Sequence, residues 1–598
     1  VIIVYLFLNH QKGNKNRLGH MFRTGRAGAC FVIILFACAT SWTGCSTQHY
    51  ERSANREAAS LIAEKTPDVA NMDPKFELTK HEPAVLEDLP VYDTLDTFLG
   101  PTGQTELGAR VVSLEKAIEL ATKYNRNYLT QKEDLYLQAL SLSLARFQYT
   151  PIFGAGAGVA TTDRQRIAED TATGVDVITR ERTVNSDAGV GFNWLLRTGG
   201  RIATDFTTDF VRFVSNDSGW ATSSALGASF TQPLLRGAGY RIAIENLTQA
   251  ERNLLYQLRD FTRFRKEFTV DIVASYYQVL QNRDRVRNSY RGYNSFKTSV
   301  ERETARSEEG ETPIAELNRL RESLLSTEQG WISAIRNYQL SRDRFKIDLG
   351  LSMDISIVLD QNELDNLSIH HPTITVEQAI KAATLMRLDL ETVRDRLVDA
   401  QRKINVAADG LQADLDLSLS GNMSSRPGSG VQLPDPQQRS WTASLGLDLP
   451  INRKRERNNY RSALIAFDRA QRQHDLFIDQ VKLEIQDGWR NLEQRKREFE
   501  ISEVRVALSE SRSEEEILKQ DLGLGLALNL VDAQNDLINS QNQRTSALIS
   551  HTIARLGFWR DMGILFIKEN GQWEELDYEV IDEQSLTSMP KLDPSAGQ

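Results

Sequence analysis

Apolar and polar residues alternate with two different periods along this chain. In Trp441-Thr-Ala-Ser-Leu-Gly-Leu-Asp-Leu449, Trp441, Ala443, Leu445, Leu447 and Leu449 alternate with Thr442, Ser444, Gly446 and Asp448. Leu415, Leu417 and Leu419 alternate likewise with Asp414, Asp416, Ser418 and Ser420. Phe153, Ala155, Ala157 and Val159 alternate with Gly154, Gly156 and Gly158, and Leu226, Ala228 and Phe230 with Gly227, Ser229 and Thr231. A period of two gathers the apolar side chains of a strand on one face, so these segments predict four strands with one apolar and one small or polar face. Elsewhere the period is three, four or seven. Leu317, Leu320, Leu324, Trp331, Ile335 and Tyr338, and again Val481, Ile485, Trp489 and Leu492, form narrow seams on otherwise charged helices. Such seams pack helix on helix.

Proline placement sets how far the helices run. Pro151 ends a first helix, Pro233 closes a β region, and no proline follows until Pro313; Pro372 then precedes a second series, in which Pro427, Pro434 and Pro436 mark a loop and Pro450 closes a strand. None follows until Pro590. Proline breaks helix interiors, so the interval from Tyr240 to about Ser307 predicts a helix on the order of 100 Å long.

The two series are copies. Ser113-Leu-Glu-Lys-Ala-Ile-Glu-Leu-Ala-Thr122 recurs as Thr375-Val-Glu-Gln-Ala-Ile-Lys-Ala-Ala-Thr384, each opening with a hydroxyl N-cap ahead of an acidic first turn. Gln232-Pro233-Leu234 recurs as Leu449-Pro450-Ile451, and Gly310, with Leu317 and Leu324 beyond it, recurs as Gly523 with Leu530 and Leu537. This order predicts a signal region 1–44, a tether 45–110, a first repeat 111–360 of helix, strands and long helical hairpin, a linker 361–374, a second repeat 375–565 and a C-terminal tail 566–598. The segment Arg164 to Gly219 departs from the copy. It carries extra alternating runs, Ala188 to Leu195 and Ile202 to Phe213, joined at Thr198-Gly-Gly-Arg201, and the pattern allows a longer hairpin, an additional one, or an extracellular cap.

Over 598 residues the chain is only 40% hydrophobic and its mean hydropathy is −0.41, which excludes a polytopic helical membrane protein. Strands of about 9 to 11 residues with one apolar face suit a lipid-facing barrel with a wet lumen, whereas a soluble sandwich would have to cover those faces. Four strands cannot close a barrel, and open edges are not tolerated in hydrocarbon, so several chains must share one. The net charge of −10, spread over intermixed acids and bases, excludes a nucleic-acid binder working through a basic surface.

The N-terminus adds an export signal. Val1 to Leu8 is too short to span a bilayer, and Met21 is the expected start. Arg23 and Arg26 precede the apolar run Phe31 to Ala37, which leads to Thr43-Gly44-Cys45. The run resembles a lipobox, with Trp42 where leucine is usual, and implies lipidation of Cys45; Ser46 next to it implies sorting to the outer membrane. The other cysteines, Cys30 and Cys38, fall in the segment that export would remove, which suits an oxidising periplasm. Five of the 15 prolines lie between Ser46 and Gly108, read as an extended tether wrapping a larger body.

Across about Ser113 to Leu565 the chain resembles the TolC family of outer-membrane efflux and secretion channels. The resemblance rests on the two duplicated openings, the Thr231-Gln-Pro-Leu-Leu-Arg-Gly237 run that enters a long helix, the Leu447-Asp-Leu-Pro-Ile451 counterpart and the two glycine tips. It implies a mainly α fold with a membrane β-barrel portion: a homotrimer in which each subunit gives four strands to a twelve-stranded barrel and its helices to a periplasmic α-barrel. It directs the tips at Gly310, Gly523, Leu524 and Gly525 toward a periplasmic adaptor protein and its inner-membrane transporter. It also implies an aperture lined by Asp532, with Asn529 where an acid is often found, and by Glu316, whose basic partner position is Gly525 here.

The expected function is a passive exit duct of a tripartite efflux or type I secretion system in the outer membrane, with no enzymatic activity, no cofactor and no nucleic-acid partner. No P-loop and no zinc-type Cys and His spacing is visible, and His370-His371 before Pro372 reads as a surface pair. The competing reading is a lipid-anchored periplasmic coiled-coil scaffold without a pore.

Overall fold

A computed structural model describes residues 47–73, 76, 78, 86–169, 174, 176–213, 220–426, 432–449, 451–522, 524–568 and 571–574. The chain forms two compact units, Val1–Ser60 and Leu61–Gln598. The signal region, Cys45 and Gly523 lie outside the described residues.

The expected extended tether is in part helical. Thr47–Lys65 forms helix α1, because a run rich in Ala, Glu and Arg without proline favours helix over extended chain. Residues 86–112 form a strap that is held on the long helices, where Arg283 pairs with Asp96 and Trp331 Nε1 donates to the Phe98 carbonyl at 2.7 Å. Tyr92 N–H donates to the Ala109 carbonyl at 2.8 Å and Val111 N–H to the Pro90 carbonyl at 2.8 Å, which folds the strap back on itself.

Each repeat opens with two short helices in place of one. In the first, α2 (Leu114–Tyr124) is capped by Ser113 and α3 (Arg126–Phe147) by Asn125. Strand β1 (Arg110–Val112) pairs in parallel with a short strand, Ile357–Leu359, so the first repeat begins and ends side by side. Four strands follow: β2 (Ile152–Glu169), β3 (Asp176–Leu195), β4 (Arg201–Phe213) and β5 (Trp220–Pro233). The long hairpin is α4 (Glu245–Glu308, 64 residues) and α5 (Ile314–Asp348, 35 residues), and its partner strand to β1 is β6 (Ile357–Leu359).

The second repeat has α6 (Val376–Met386), with a full capping box between Thr375 and Gln378, then α7 (Leu388–Asp409). Strands β7 (Asp414–Ser424) and β8 (Arg439–Asp448) precede α8 (Lys454–Asp521, 68 residues) and α9 (Ala527–Asp561, 35 residues). The seams predicted from periodicity are packed in part: Leu317, Leu320, Tyr338, Val481, Ile485 and Leu492 are buried, whereas Leu324, Trp331, Ile335 and Trp489 are half-buried. The tail, outside the second repeat, begins with a short pairing of Phe566–Ile567 and Trp573–Glu574.

The duplication has a structural signature. Gly350, just after α5, has φ +74°, and a β-carbon there would stand 2.1 Å from the Tyr124 carbonyl oxygen at the α2–α3 break. Gly563, just after α9, has φ +80°, and its β-carbon would stand 2.9 Å from the Met386 carbonyl oxygen at the α6–α7 break. Asn125 Nδ2 donates to the Asp348 carbonyl at 2.6 Å, and Arg387 Nη1 to the Asp561 carbonyl at 3.4 Å. Each long hairpin thus ends by locking onto the kink that opens its own repeat.

The four predicted strands become six. They form one antiparallel sheet in the order β2-β3-β4-β5-β7-β8. The Arg164 to Gly219 segment is therefore an additional hairpin inside the sheet, with β3 bonded to β2 and β4 bonded to β5.

Candidate channel wall and hairpin tips

Register assigns every strand residue to a face. Phe153 stands opposite Phe192, and Ala155 opposite Val190. Val190 stands opposite Phe206, Phe206 opposite Leu226, and Phe230 opposite Leu419. Leu417 then faces Leu445, and Gly421 faces Trp441. One face is therefore largely apolar across all six strands, the inserted hairpin included, with Thr204, Thr208, Thr222 and Ser224 interspersed on β4 and β5. In the single chain it is bare: Phe153 is 77% and Trp441 80% exposed.

The opposite face is small and polar. It carries Gly154, Gly156, Asp187, Asp205, Asp209, Ser229, Asp416, Ser418, Ser444 and Asp448, with Arg201 among the acids. Two of its glycines have a steric reason. A β-carbon at Gly158 would stand 2.7 Å from Asp187 Oδ1 on the paired strand, and one at Gly227 2.6 Å from Asp205 Oδ1.

Four of the strands, β2, β5, β7 and β8, run into helices at one end of the sheet, where Pro233, Asp414 and Asp448 lie. The β3–β4 turn sits at that same end. Leu196 N–H donates to the Gly200 carbonyl at 2.7 Å, and Gly199 takes φ +89°. Thr198 Oγ1 donates to Gln232 Oε1 at 3.1 Å, while Gln232 Nε2 donates to the Thr198 carbonyl at 3.2 Å. A β-carbon at Gly199 would lie 2.6 Å from the Gly237 carbonyl oxygen. The turn is clasped against the strand-to-helix joint, which places the Thr198-Gly-Gly-Arg201 turn at the helix end of the sheet.

At the far end of the helices lie the two tips. In the first, Gly310 has φ +82° and Pro313 starts α5. In the second, Leu522, Leu524, Leu526 and Leu528 are exposed, Leu524 at 78%. Gly525 is held by its N–H to the Lys519 carbonyl at 3.0 Å, and its β-carbon would meet the Gln520 nitrogen at 2.9 Å. Asp532 and Asn529 are exposed on the first turns of α9, and Glu316 is half-buried on the first turn of α5. No ion pair joins Asp532 or Glu316 to another side chain among the described residues.

The two hairpins are tied to each other by residues that sequence reasoning passed over. Arg302 pairs with Asp521. Arg306 donates to the Gln520 carbonyl at 2.6 Å and the Asp521 carbonyl at 3.2 Å. Gln520 Nε2 donates to Glu303 Oε1 at 2.9 Å, and Thr312 Oγ1 to Glu303 Oε2 at 2.7 Å. Glu303 and Gln520 are buried, so their bond between the ends of α4 and α8 is shielded from water, whereas the Arg302–Asp521 pair is open to solvent.

The His pair divides. His370 is exposed, whereas His371 packs between Trp489 and His551 and lies 2.9 Å from Glu493 Oε1. Burial, with His371 and Arg555 close by, pulls His551 down to about 4. No group of three or more His, Cys, Asp or Glu among the described residues has a metal-holding arrangement.

Two tandem units of short helices, sheet strands and a long helical hairpin, with one apolar sheet face, define the fold class of the TolC-type outer-membrane channels. No family model matches the sequence, and no curated protein matches it. Solved structures do. The chain is similar to CusC, which forms a transmembrane channel, with a TM-score of 0.56 and 12% identity over 75% of this chain and 92% of that one. It is similar to the CmeC outer membrane channel of Campylobacter jejuni, with a TM-score of 0.55 and 13% identity over 86% of this chain and 99% of that one. The MtrE outer membrane channel of Neisseria gonorrhoeae, in its open state, gives a TM-score of 0.53 and 12% identity over 82% and 99%. At such identities the likeness is one of fold.

Proposed function

We propose that this chain is the outer-membrane exit duct of a tripartite efflux or type I secretion assembly, acting as a homotrimer and moving cargo passively. The carrying observation is the six-stranded sheet with one largely apolar face, exposed at Phe153, Val190, Leu226 and Trp441, and a polar, acidic opposite face. Such a sheet is stable in lipid only with its edges paired, so copies of the chain must complete the wall. A scaffold without a pore has no use for an apolar sheet face. The long hairpins give the duct its reach into the periplasm, and the leucines exposed around Gly525 offer an adaptor protein an apolar contact. Three copies of Asp532, with Asn529 and Glu316 nearby, would ring the aperture with negative charge and favour cations.

Reconstituted in a planar bilayer, the protein is expected to form cation-preferring pores that divalent ions close from one side. A folded assembly without conductance at any voltage would contradict the duct. Lipidation of Cys45 anchors the chain in the outer membrane in this reading. Labelling with a fatty acid is expected for the wild type and not for Cys45→Ser; label on both, or on neither, removes the anchor.

A further inference from the structure

Resting on that duct reading, we propose that the assembled barrel has eighteen strands, not twelve, so that the outer-membrane exit is wider than a twelve-stranded one and passes bulky hydrated cargo. The inserted hairpin is part of the wall. If β3 and β4 folded away from the sheet, β2 would pair with β5; instead two strands and three full pairings separate them. The hairpin keeps the alternation of its neighbours, putting Val190, Phe192, Ile202 and Phe206 on the apolar face and Asp187, Asp205 and Asp209 on the polar one. Its strands, 20 and 13 residues long, exceed the roughly 9 to 11 needed to cross a bilayer. Its inner turn is fixed to Gln232 at the sheet's helix end, the level at which every other strand leaves the membrane.

Six strands are too few to close alone, since the smallest membrane barrels have about eight. The free edges are β2 and β8, the first and last strands of the sheet, and a second copy supplies the complementary edge. Two copies would close twelve strands and three would close eighteen. With strands about 4.8 Å apart and tilted by about 40°, the backbone diameter is roughly 24 Å for twelve and roughly 36 Å for eighteen. Side chains take about 5 Å from each wall, leaving free widths of roughly 14 Å and roughly 26 Å. The helical hairpins, by contrast, are not increased in number: among the described residues there are two per chain. The barrel is thus a wide vestibule, its acidic lining disfavours polyanions, and size selection falls to the helices and their aperture.

The test uses the full-length protein, which has no cysteine after Cys45. Ala157→Cys in β2 and Ala443→Cys in β8, joined by a short bifunctional thiol reagent that tolerates a register offset, are expected to give covalent trimers. Polyethylene glycol about 20 Å across, added on the extracellular side of single channels, is expected to enter the wild-type barrel and to be excluded after deletion of residues 164–219. Covalent dimers as the end product would show a twelve-stranded, two-copy barrel and overturn the proposal. So would a conducting trimer whose wild-type barrel excludes the polymer, while leaving the duct intact. No conductance in any variant would bring down the duct reading itself, and the proposal with it. Should the deletion not fold, single cysteines decide: Val190→Cys and Phe206→Cys should resist a water-soluble maleimide that labels Thr207→Cys, and equal labelling of all three would put the hairpin outside the wall.

Discussion

At the scale of single residues, the sequence shows which glycines turn a tip but not which press on distant backbone. Gly310 is legible from its place between two seams. Gly350 and Gly563 are not, because the backbone each one touches, at Tyr124 and at Met386, lies more than a hundred residues earlier. Left-handed φ and the near contact act together, so Gly350→Ala is expected to destabilise the protein by about 2–4 kcal/mol. Gly557→Ala, inside α9 where a β-carbon meets nothing within 4 Å, is the control and is expected to be neutral or slightly stabilising. Thermal unfolding of the detergent-solubilised protein measures both; similar losses in the two variants would mean that the kink contact is not the cause. The N-caps were readable in advance because Ser113, Thr375 and the helices they cap are neighbours in sequence.

At the scale of elements, the long helices and their seams were legible because 3.6-residue periodicity and proline-free intervals act locally. The inserted hairpin was legible as alternation but not as topology, since period two says which face a residue takes and not which strand it pairs with. The contact between the two hairpin ends is not legible in the sequence. The resemblance directs attention to Glu316 and a basic partner, which Gly525 cannot supply, whereas the clasp uses Arg302, Glu303 and Arg306 against Gln520 and Asp521. On an otherwise charged helix those residues read as solvated surface, and only the packing of α4 near the end of α8 singles them out. Removing the charge-assisted bonds with Arg302→Ala and Arg306→Ala is expected to free the hairpin ends and raise the open fraction of single channels several-fold. Gating identical to wild type would show that the clasp stiffens one subunit without closing the pore.

At the scale of the whole molecule, the sequence carries the need for shared closure, because apolar faces and unpaired edges follow from alternation alone. It does not carry strand number, which here depends on whether a segment outside the duplication joins the sheet. That one topological fact changes the expected wall from twelve strands to eighteen. It also moves the acidic lining onto a longer arc, since Asp187, Asp205 and Asp209 all belong to the insertion. The central claim is that copies of this chain close a β-barrel in lipid continuous with a duct of helices. Electron cryomicroscopy of the full-length protein in lipid nanodiscs tests it most directly. The account predicts a threefold particle with a closed barrel in the lipid disc and long helical hairpins projecting from one side. A monomer, or an assembly whose apolar sheet faces are buried against each other outside the lipid, would contradict it.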